Sequence, residues 1–481
     1  MTFLLVVVAA AVSSVHSFEV TKDAAKEASA ARWLTTQSTW GTLTTRPEKA
    51  FFGQDGDVET NDLLAVVLPF AADETNEGRI FFYLMGETHL HDSSLTLSQA
   101  ALNTELLAVP GCGTPESAVD PQDPRCIKLT IAGSIHPCTA THDVGPNCED
   151  IGWKALLEKH PTMAYWPVNH DFRVHEFVVQ DSLWMIGNFG GASVLSPDEY
   201  RQAKAAEHVI AGGEAVTPTT IPAADKIVPK WNNFATRARW ITHHSKWSTI
   251  ATVAAASNAA ETTSSSSVFG NIRSIADGVD LSTSTGRPLF YLPDADALAV
   301  NMKANDNHIV ISLSEASLAE RVSEGRPCGG QELPLCAQVA LYGKAVPVEF
   351  NRDIATQFQH THPLASWMAE GGSHMSGSYY TLDISKVVIL DYFGGFHEVG
   401  VDDYLNTNLS SMLESGVSQT TMNPPSWFSG HLIVWMMAGF LLGWLVSRYS
   451  GIHSTTGAQY RTVPDATKTS ETMEMEVDAE A

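Results

Sequence analysis

Several groups of residues have types and spacings that could do chemistry. "ETHLHD" places His89 and His91 on one face of a strand with Asp92 beside them, a donor set suited to a metal pair. A solvated loop is the preferred reading of the same string. His160 and His362 each stand before a proline and just ahead of a tryptophan, in "EKHPTMAYW" (158–166) and "HTHPLASW" (360–367). A histidine there could act as a general acid or base. The residue before proline is pushed out of the helical region, so a helix-ending turn with the ring packed near the Trp is preferred. No Gly-x-Ser-x-Gly, no glycine-rich phosphate loop and no His-Glu-x-x-His occurs.

The elements that would position these groups occur twice. "LWMIGNFGGASVLSPDEYR" (183–201) is answered by "VVILDYFGGFHEVGVDDYL" (387–405). In the same order, "ARWLTTQSTW" (31–40) pairs with "ARWITHHSKW" (238–247), "FFYL" (81–84) with "LFYL" (289–292), and the two His-Pro strings with each other. Collinear matches of this kind mean that one domain is present in tandem, with copies too long and too few for a solenoid. Each copy has the usual size of a single domain.

Repeat 2 reads as six short strands rich in β-branched and aromatic residues: "STIATVA", "VFGNIRSIAD", "PLFYL", "HIVISLS", "AQVALYGKAV" and "SYYTLDISKVVILDYFGG". Helical pattern is confined to Ala238–His244, Leu298–Lys303 and the stretch before His362. The expected class is α+β, mostly β, with each copy a barrel or sandwich. The Phe-Gly-Gly strings at 189–191 and 393–395 predict a glycine-dependent turn after the last core strand, with Phe in the core. The stretch from Met85 to Ser94 is shorter than Pro293 to Val310, so a helix of repeat 2 should be missing from repeat 1.

Composition narrows the function class. The 481 residues carry a formal charge of −25, which opposes a phosphate backbone and excludes nucleic acid as a partner. The 18 histidines would offset much of that charge in an acidic lumen. "MTFLLVVVAAAVSSVHS" has the apolar run and small residues of a secretory signal peptide over 1–17. Trp427 to Ser447 carries no formal charge, is long enough to span a bilayer, and is followed at once by Arg448. Together these predict a single-pass type I membrane protein with a luminal or extracellular ectodomain. Gly439 and Gly443 form a weak small-xxx-small pair.

The predicted layout is signal peptide 1–17, first barrel 18–205, linker 206–230, second barrel 231–408, stalk 409–426, span 427–447 and cytosolic tail 448–481. All six cysteines fall in the luminal part. Cys112 and Cys126 occupy the same interval in repeat 1 as Cys328 and Cys336 in repeat 2. That repetition selects the pairs Cys112–Cys126 and Cys328–Cys336 and leaves Cys138–Cys148. Asn408-Leu409-Ser410 is a glycosylation sequon on the luminal side. In the tail, Tyr460 to Val463 fits the Tyr-x-x-apolar pattern read by clathrin adaptors through strand addition.

The strings "ARW", "FYL", "SLSEA", "DPQDPRC", "KHPTMAYWPVNHDF" and "LDYFGG", held in register, resemble the CREG family of secreted glycoproteins across nearly the whole of both repeats. The resemblance implies two tandem split β-barrels of the FMN-binding type shared with pyridoxamine-phosphate-oxidase-like flavoproteins, which usually dimerise. It also implies that no FMN is bound and that the barrels act as a binding glycoprotein of the secretory and endolysosomal route. The doubling and the membrane anchor depart from the family layout. The two repeats could pair with each other as a pseudodimer, or two chains could form a homodimer.

The expected function is therefore a non-catalytic, membrane-anchored glycoprotein with the barrels as binding surface, in the endolysosomal system or at the cell surface. The alternative is an FMN-dependent oxidoreductase. For that alternative, Arg273, Ser274 and Lys303 could supply the cationic and hydroxyl groups that a flavin phosphate needs.

Overall fold

The computed structural model describes residues 23–411 apart from 47–62, 105–119, 206–228, 255–267, 319–335, 366–375 and shorter stretches. The expected signal peptide, membrane span and sorting motif lie outside the described residues, as do Cys112, Cys328 and His89. Among the described residues, no helix is long and apolar enough to cross a membrane.

Repeat 1 comprises α1 (Ala24–Gln37), β1 (Trp40–Thr45), β2 (Leu64–Pro69), β3 (Ala71–Ala72), β4 (Ile80–Leu84), β5 (Glu87–Thr88), β6 (His91–Asp92), β7 (Leu97–Thr104), β8 (Lys128–Pro137), α2 (Cys148–Lys159), β9 (Arg173–Ile186), β10 (Ser193–Leu195) and α3 (Pro197–Gln202). Repeat 2 comprises α4 (Phe234–His244), β11 (Trp247–Val253), β12 (Val268–Ala276), β13 (Leu289–Pro293), α5 (Ala297–Ala304), β14 (His308–Ser314), β15 (Gln338–Val348), α6 (Arg352–Thr361), β16 (Gly377–Leu390), β17 (Phe396–Val399) and α7 (Val401–Asn406). All strand pairs are antiparallel. The second sheet runs β13-β12-β11-β14-β15-β16-β17, and an added β13–β16 pairing closes it into a barrel. The first runs β2-β1-β7-β8-β9-β4-β3, with β2 and β3 interrupted only at Phe70, so the same ring is closed.

The predicted strands and helices of repeat 2 are all present, because their β-branched residues alternate between barrel interior and exterior. Each barrel has its own core. Leu34, Leu43, Phe82, Ile131 and Leu183 fill the first, and Trp240, Ile250, Phe290, Ile311, Leu341 and Ile389 the second. Among the described residues of repeat 1 no helix stands where repeat 2 has α5, and the small β5–β6 pairing is found there. Gly191 and Gly395, the last residue of each Phe-Gly-Gly string, both adopt φ +87°, a left-handed conformation that favours glycine; the Phe and first Gly of each string lie outside the described residues.

The repeated "ARW" and acidic-Tyr strings are repeated because their side chains meet. Arg32 of α1 donates to the carbonyls of Tyr200 and Arg201, at 3.5 and 3.2 Å. Thr35 lies 2.9 Å from the Tyr200 hydroxyl, which itself donates to the Gly78 carbonyl at 2.9 Å. In repeat 2, Arg239 donates to the carbonyls of Tyr404 and Leu405, Thr242 lies 2.9 Å from the Tyr404 hydroxyl, and that hydroxyl donates to Gly286 at 2.8 Å. First and last helices of each copy are thus tied together, and the phenols are wholly buried. Burial pushes the Tyr200 phenol up to about 12.

Candidate functional site

The two barrels meet along β1, β2, β7 and β8 of repeat 1 and β11, β12, β14 and β15 of repeat 2. The middle of this seam is small and apolar: Leu63, Ala65 and Ala101 face Ala251, Val268, Val310 and Ala340. Small side chains let the two sheets approach closely. β12 is consequently buried at all nine positions, one face toward its own core and the other toward repeat 1.

Polar contacts fix the register of the seam. Asn103 donates to the Gly270 carbonyl at 3.0 Å, and Thr130 donates to the same oxygen at 2.7 Å. Gln338 reads the Val67 backbone with both ends of its amide, accepting at 2.8 Å and donating at 3.0 Å. Trp40 and Trp247, at matching positions of the two copies, stack with ring centroids 5.9 Å apart.

At one end of the seam, a loop of repeat 1 enters repeat 2. The Asp120 carboxylate accepts from Ser274 and lies 2.6 Å from Nδ1 of His362. The other ring nitrogen, Nε2, lies 2.8 Å from the Ile275 carbonyl, so both nitrogens face acceptors and the ring bridges loop and strand. Gln122 donates its amide hydrogen to Ser274 at 3.1 Å and its side-chain NH2 to the Tyr291 carbonyl at 3.2 Å. Burial alone would raise the Asp120 carboxyl. The His362 ring, with hydrogen bonds from Ser274 and the Gln122 amide, holds it below the usual value instead.

Lys128, the first residue of β8, closes the loop from beneath. Its ammonium donates to the carbonyls of Pro121, Asp123 and Cys126 at 3.1, 2.8 and 2.9 Å, satisfying all three of its hydrogens. Burial, aided by the Arg273 charge, pulls its pKa down to about 7. Sequence reasoning gave no role to Asp120 or Lys128; the only signal was the "DPQDPRC" string that carries the loop.

The predicted phosphate ligands do not converge. Arg273 is buried and forms an ion pair with Asp296. Ser274 is taken by Asp120. Lys303 is exposed on α5 and pairs with Asp294 at 2.9 Å. At the matching positions of repeat 1, aligned through the strand carbonyls of Phe70 and Ile275 that face His160 and His362, stand Leu68 and Pro69 in place of Arg273 and Ser274. These residues do not fit a flavin phosphate in either barrel.

His160 and His362 cap α2 and α6, as the helix-ending reading expects. Each ring reaches across to a barrel strand, the Nε2 of His160 lying 3.0 Å from the Phe70 carbonyl. No cluster of three or more metal-ligating side chains occurs among the described residues. The Cys138–Cys148 disulfide is formed, with Cα atoms 5.3 Å apart. Cys126 and Cys336 are also disulfide-bonded. Asn408 is exposed, and its side-chain oxygen accepts from the amide and hydroxyl of Ser410 at 3.0 and 2.6 Å.

Two closed antiparallel barrels joined by a buried polar and aromatic seam define a tandem-barrel protein. The family described as "CREG, beta-barrel" matches residues 22–202 and again 229–406, and the chain belongs to that family, with two copies. It is similar to Gallus gallus Protein CREG1, at 31% identity over 107 residues, covering 22% of this chain and 51% of that protein. Homo sapiens Protein CREG2 is 31% identical over 88 residues, covering 18% of this chain and 28% of that protein. The chain thus spans about half, or less, of the length of these relatives. A heme-binding protein from Mycobacterium smegmatis overlaps 39% of this chain and 63% of its own at 17% identity, with a TM-score of 0.27. Campylobacter jejuni ChuZ overlaps 34% and 58% at 13% identity, with a TM-score of 0.25. Overlaps this low carry no argument about a ligand.

Proposed function

We propose that this chain is a non-catalytic, membrane-anchored glycoprotein of the secretory and endolysosomal system, whose two barrels pair with each other and present a binding surface. The observation that carries the reading is the seam. The strand positions that would have to receive a flavin phosphate are committed to the chain's own carboxylates, Ser274 to Asp120 and Arg273 to Asp296. Membrane attachment rests on the uncharged stretch Trp427 to Ser447, and glycosylation on the exposed Asn408.

The test is an absorbance spectrum from about 300 to 550 nm, the range of oxidised flavin and heme chromophores, on the purified full-length protein before and after incubation with FMN. A colourless protein that takes up no FMN is expected. A bound flavin, or saturable FMN uptake lost in Arg273→Ala, would replace this reading with the flavin oxidoreductase one. Delivery to an endolysosomal compartment rests on Tyr460 to Val463, so Tyr460→Ala should shift the protein to the cell surface; an unchanged distribution would remove the sorting role.

A further inference from the structure

The two copies differ in how they reach the helix that ends at the capping histidine. Repeat 1 passes from β8 to α2 through residues 138–147, a loop closed by the Cys138–Cys148 disulfide. Repeat 2 passes from β15 to α6 through residues 349–351 alone. The outer sheet face beneath is built alike in both. Phe81 and Val174 answer to Leu289 and Tyr379 in the strand register, and Leu156 of α2 answers to Phe358 of α6.

In repeat 1 the extra loop helps to cover this face. Val144 packs on its apolar residues. The Gly145 amide donates to the Glu176 carboxylate at 3.0 Å, and Arg79 donates to the Pro146 carbonyl at 2.9 Å. A Cβ on Gly145 would lie 2.8 Å from the Arg79 guanidinium carbon, so the turn rests hard on the Arg79–Glu176 ion pair. Those two side chains are only 12% and 7% exposed.

The matching face of repeat 2 is open to water. Arg287 stands where Arg79 does and pairs with Asp383 at 3.5 Å, and here the two side chains are 38% and 72% exposed. Continuing the β13–β16 register by one residue sets Thr381 opposite Leu289, the place that Glu176 takes opposite Phe81. Val346 of β15 lies opposite Thr381 and is 40% exposed, whereas His136, its counterpart opposite Glu176, is buried. Phe350, also 40% exposed, leans on Tyr379 with ring centroids 5.9 Å apart. Apolar side chains grouped beside a half-exposed guanidinium, on a face that the other copy covers, mark a contact surface rather than scattered surface residues.

We infer that this outer face of β13, β15 and β16 docks a stiff, proline-bearing loop of a partner protein, seated as residues 144–146 are seated on repeat 1. An apolar side chain of that loop rests on Val346 and Phe350, and the proline carbonyl accepts from Arg287. A backbone amide of the loop donates to the Thr381 hydroxyl, which itself donates to the Arg287 carbonyl at 3.4 Å. Repeat 1 shows the face with its loop in place, and repeat 2 shows the same face without one. Two other occupants fit less well. An anionic membrane surface would be repelled by the exposed Asp383 and by a chain of formal charge −25. A second copy of this chain would have to bring a loop that its own repeat 1 already holds.

This assignment rests on reading the barrels as a binding surface and names the kind of partner. The probe is the disulfide-closed peptide CTATHDVGPNC, residues 138–148 of this chain, offered in excess to the full-length protein and followed by saturation-transfer NMR. Saturable binding is expected with a Kd of about 1 mM or tighter, the weak end that suits so small a contact. It should weaken about ten-fold or more in Val346→Asp and in Arg287→Ala, both surface changes whose folding thermal melts confirm. The peptide carrying Val144→Asp should not bind, and a linear form with both cysteines replaced by serine should bind more weakly, because closure spares the ordering cost. No saturation at that concentration, equal binding in both protein variants, or equal binding of the Val144→Asp peptide would overturn the assignment. A concentration-dependent dimer lost in Val346→Asp would give the face to a second copy and overturn it as well. Silence toward the peptide together with silence toward FMN would overturn the docking face alone. FMN uptake would overturn the reading beneath it.

Discussion

Trp40 and Trp247 occupy the same position in the two repeats and lie against each other, their planes 10° from parallel. Contact between a residue and its own counterpart is the mark of a two-fold relationship, the geometry of a symmetric homodimer interface. Here it is achieved within one chain. Trp247→Ala should lower unfolding stability by about 3 kcal/mol. The double variant with Trp40→Ala should fall short of the summed single effects by about 1 kcal/mol, because the stack is lost only once. Denaturant melts of the four proteins measure the coupling, and strict additivity would mean that the stack contributes nothing of its own.

The Tyr404 hydroxyl joins three elements, α7, α4 and the Gly286 turn, through Thr242 and the Gly286 carbonyl. Tyr404→Phe keeps the ring and strands both partners in a buried site, so a loss of about 1 to 3 kcal/mol is expected. Gly286→Ala should cost at least as much. Its φ is +74°, and an added Cβ would lie 2.6 Å from the Arg239 side chain that holds α7. Thermal unfolding of the two variants checks this; a Gly286→Ala protein as stable as the parent would show that the arginine has room to move.

How far the sequence reveals this molecule depends on the range of the interaction. The strands of repeat 2 are legible because alternation is a local signal, and the duplication is legible because it is written twice. Even the pairing of Arg239 with the end of α7 leaves a trace, since "ARW" and the acidic-Tyr string recur together. β17 is not legible apart from the Phe-Gly-Gly string, because it is short and follows that string at once. The seam is a different matter. Ser274 and Asp120 lie 154 positions apart, and nothing in "NIRSIAD" shows that a loop from the other repeat fills the space above it. A cation and a hydroxyl side by side on a strand therefore read as ligand groups, when their partners are carboxylates of the chain itself.

The Cys138–Cys148 link closes a short loop at a sequence separation of 10, directly ahead of α2. A loop of that length constrains the unfolded chain modestly, so Cys138→Ser/Cys148→Ser should cost about 2 to 3 kcal/mol. Melts with and without reductant test this. Equal stability in both would mean that the helix is held by its packing on Phe81 and Val174 alone.

The Asp120–His362 contact makes the seam sensitive to acid in a definite direction. The folded pKa of Asp120 lies below its ordinary value of 3.8, so its stabilising contribution is present above that value and is lost as pH falls through the folded one. The seam should therefore stay closed at the mildly acidic pH of an endolysosomal lumen and loosen only in stronger acid. Asp120→Asn removes the charge from a buried pair and leaves the His362 ring facing a weaker acceptor, which should cost about 3 kcal/mol near neutral pH. The variant should also show a flatter loss of stability on acidification, since the group that titrates is gone. Urea melts of parent and variant at a series of pH values down to strong acid would display both effects. Parallel curves across the whole range would mean that this carboxylate is not what acid attacks, and that the seam is held by its apolar middle.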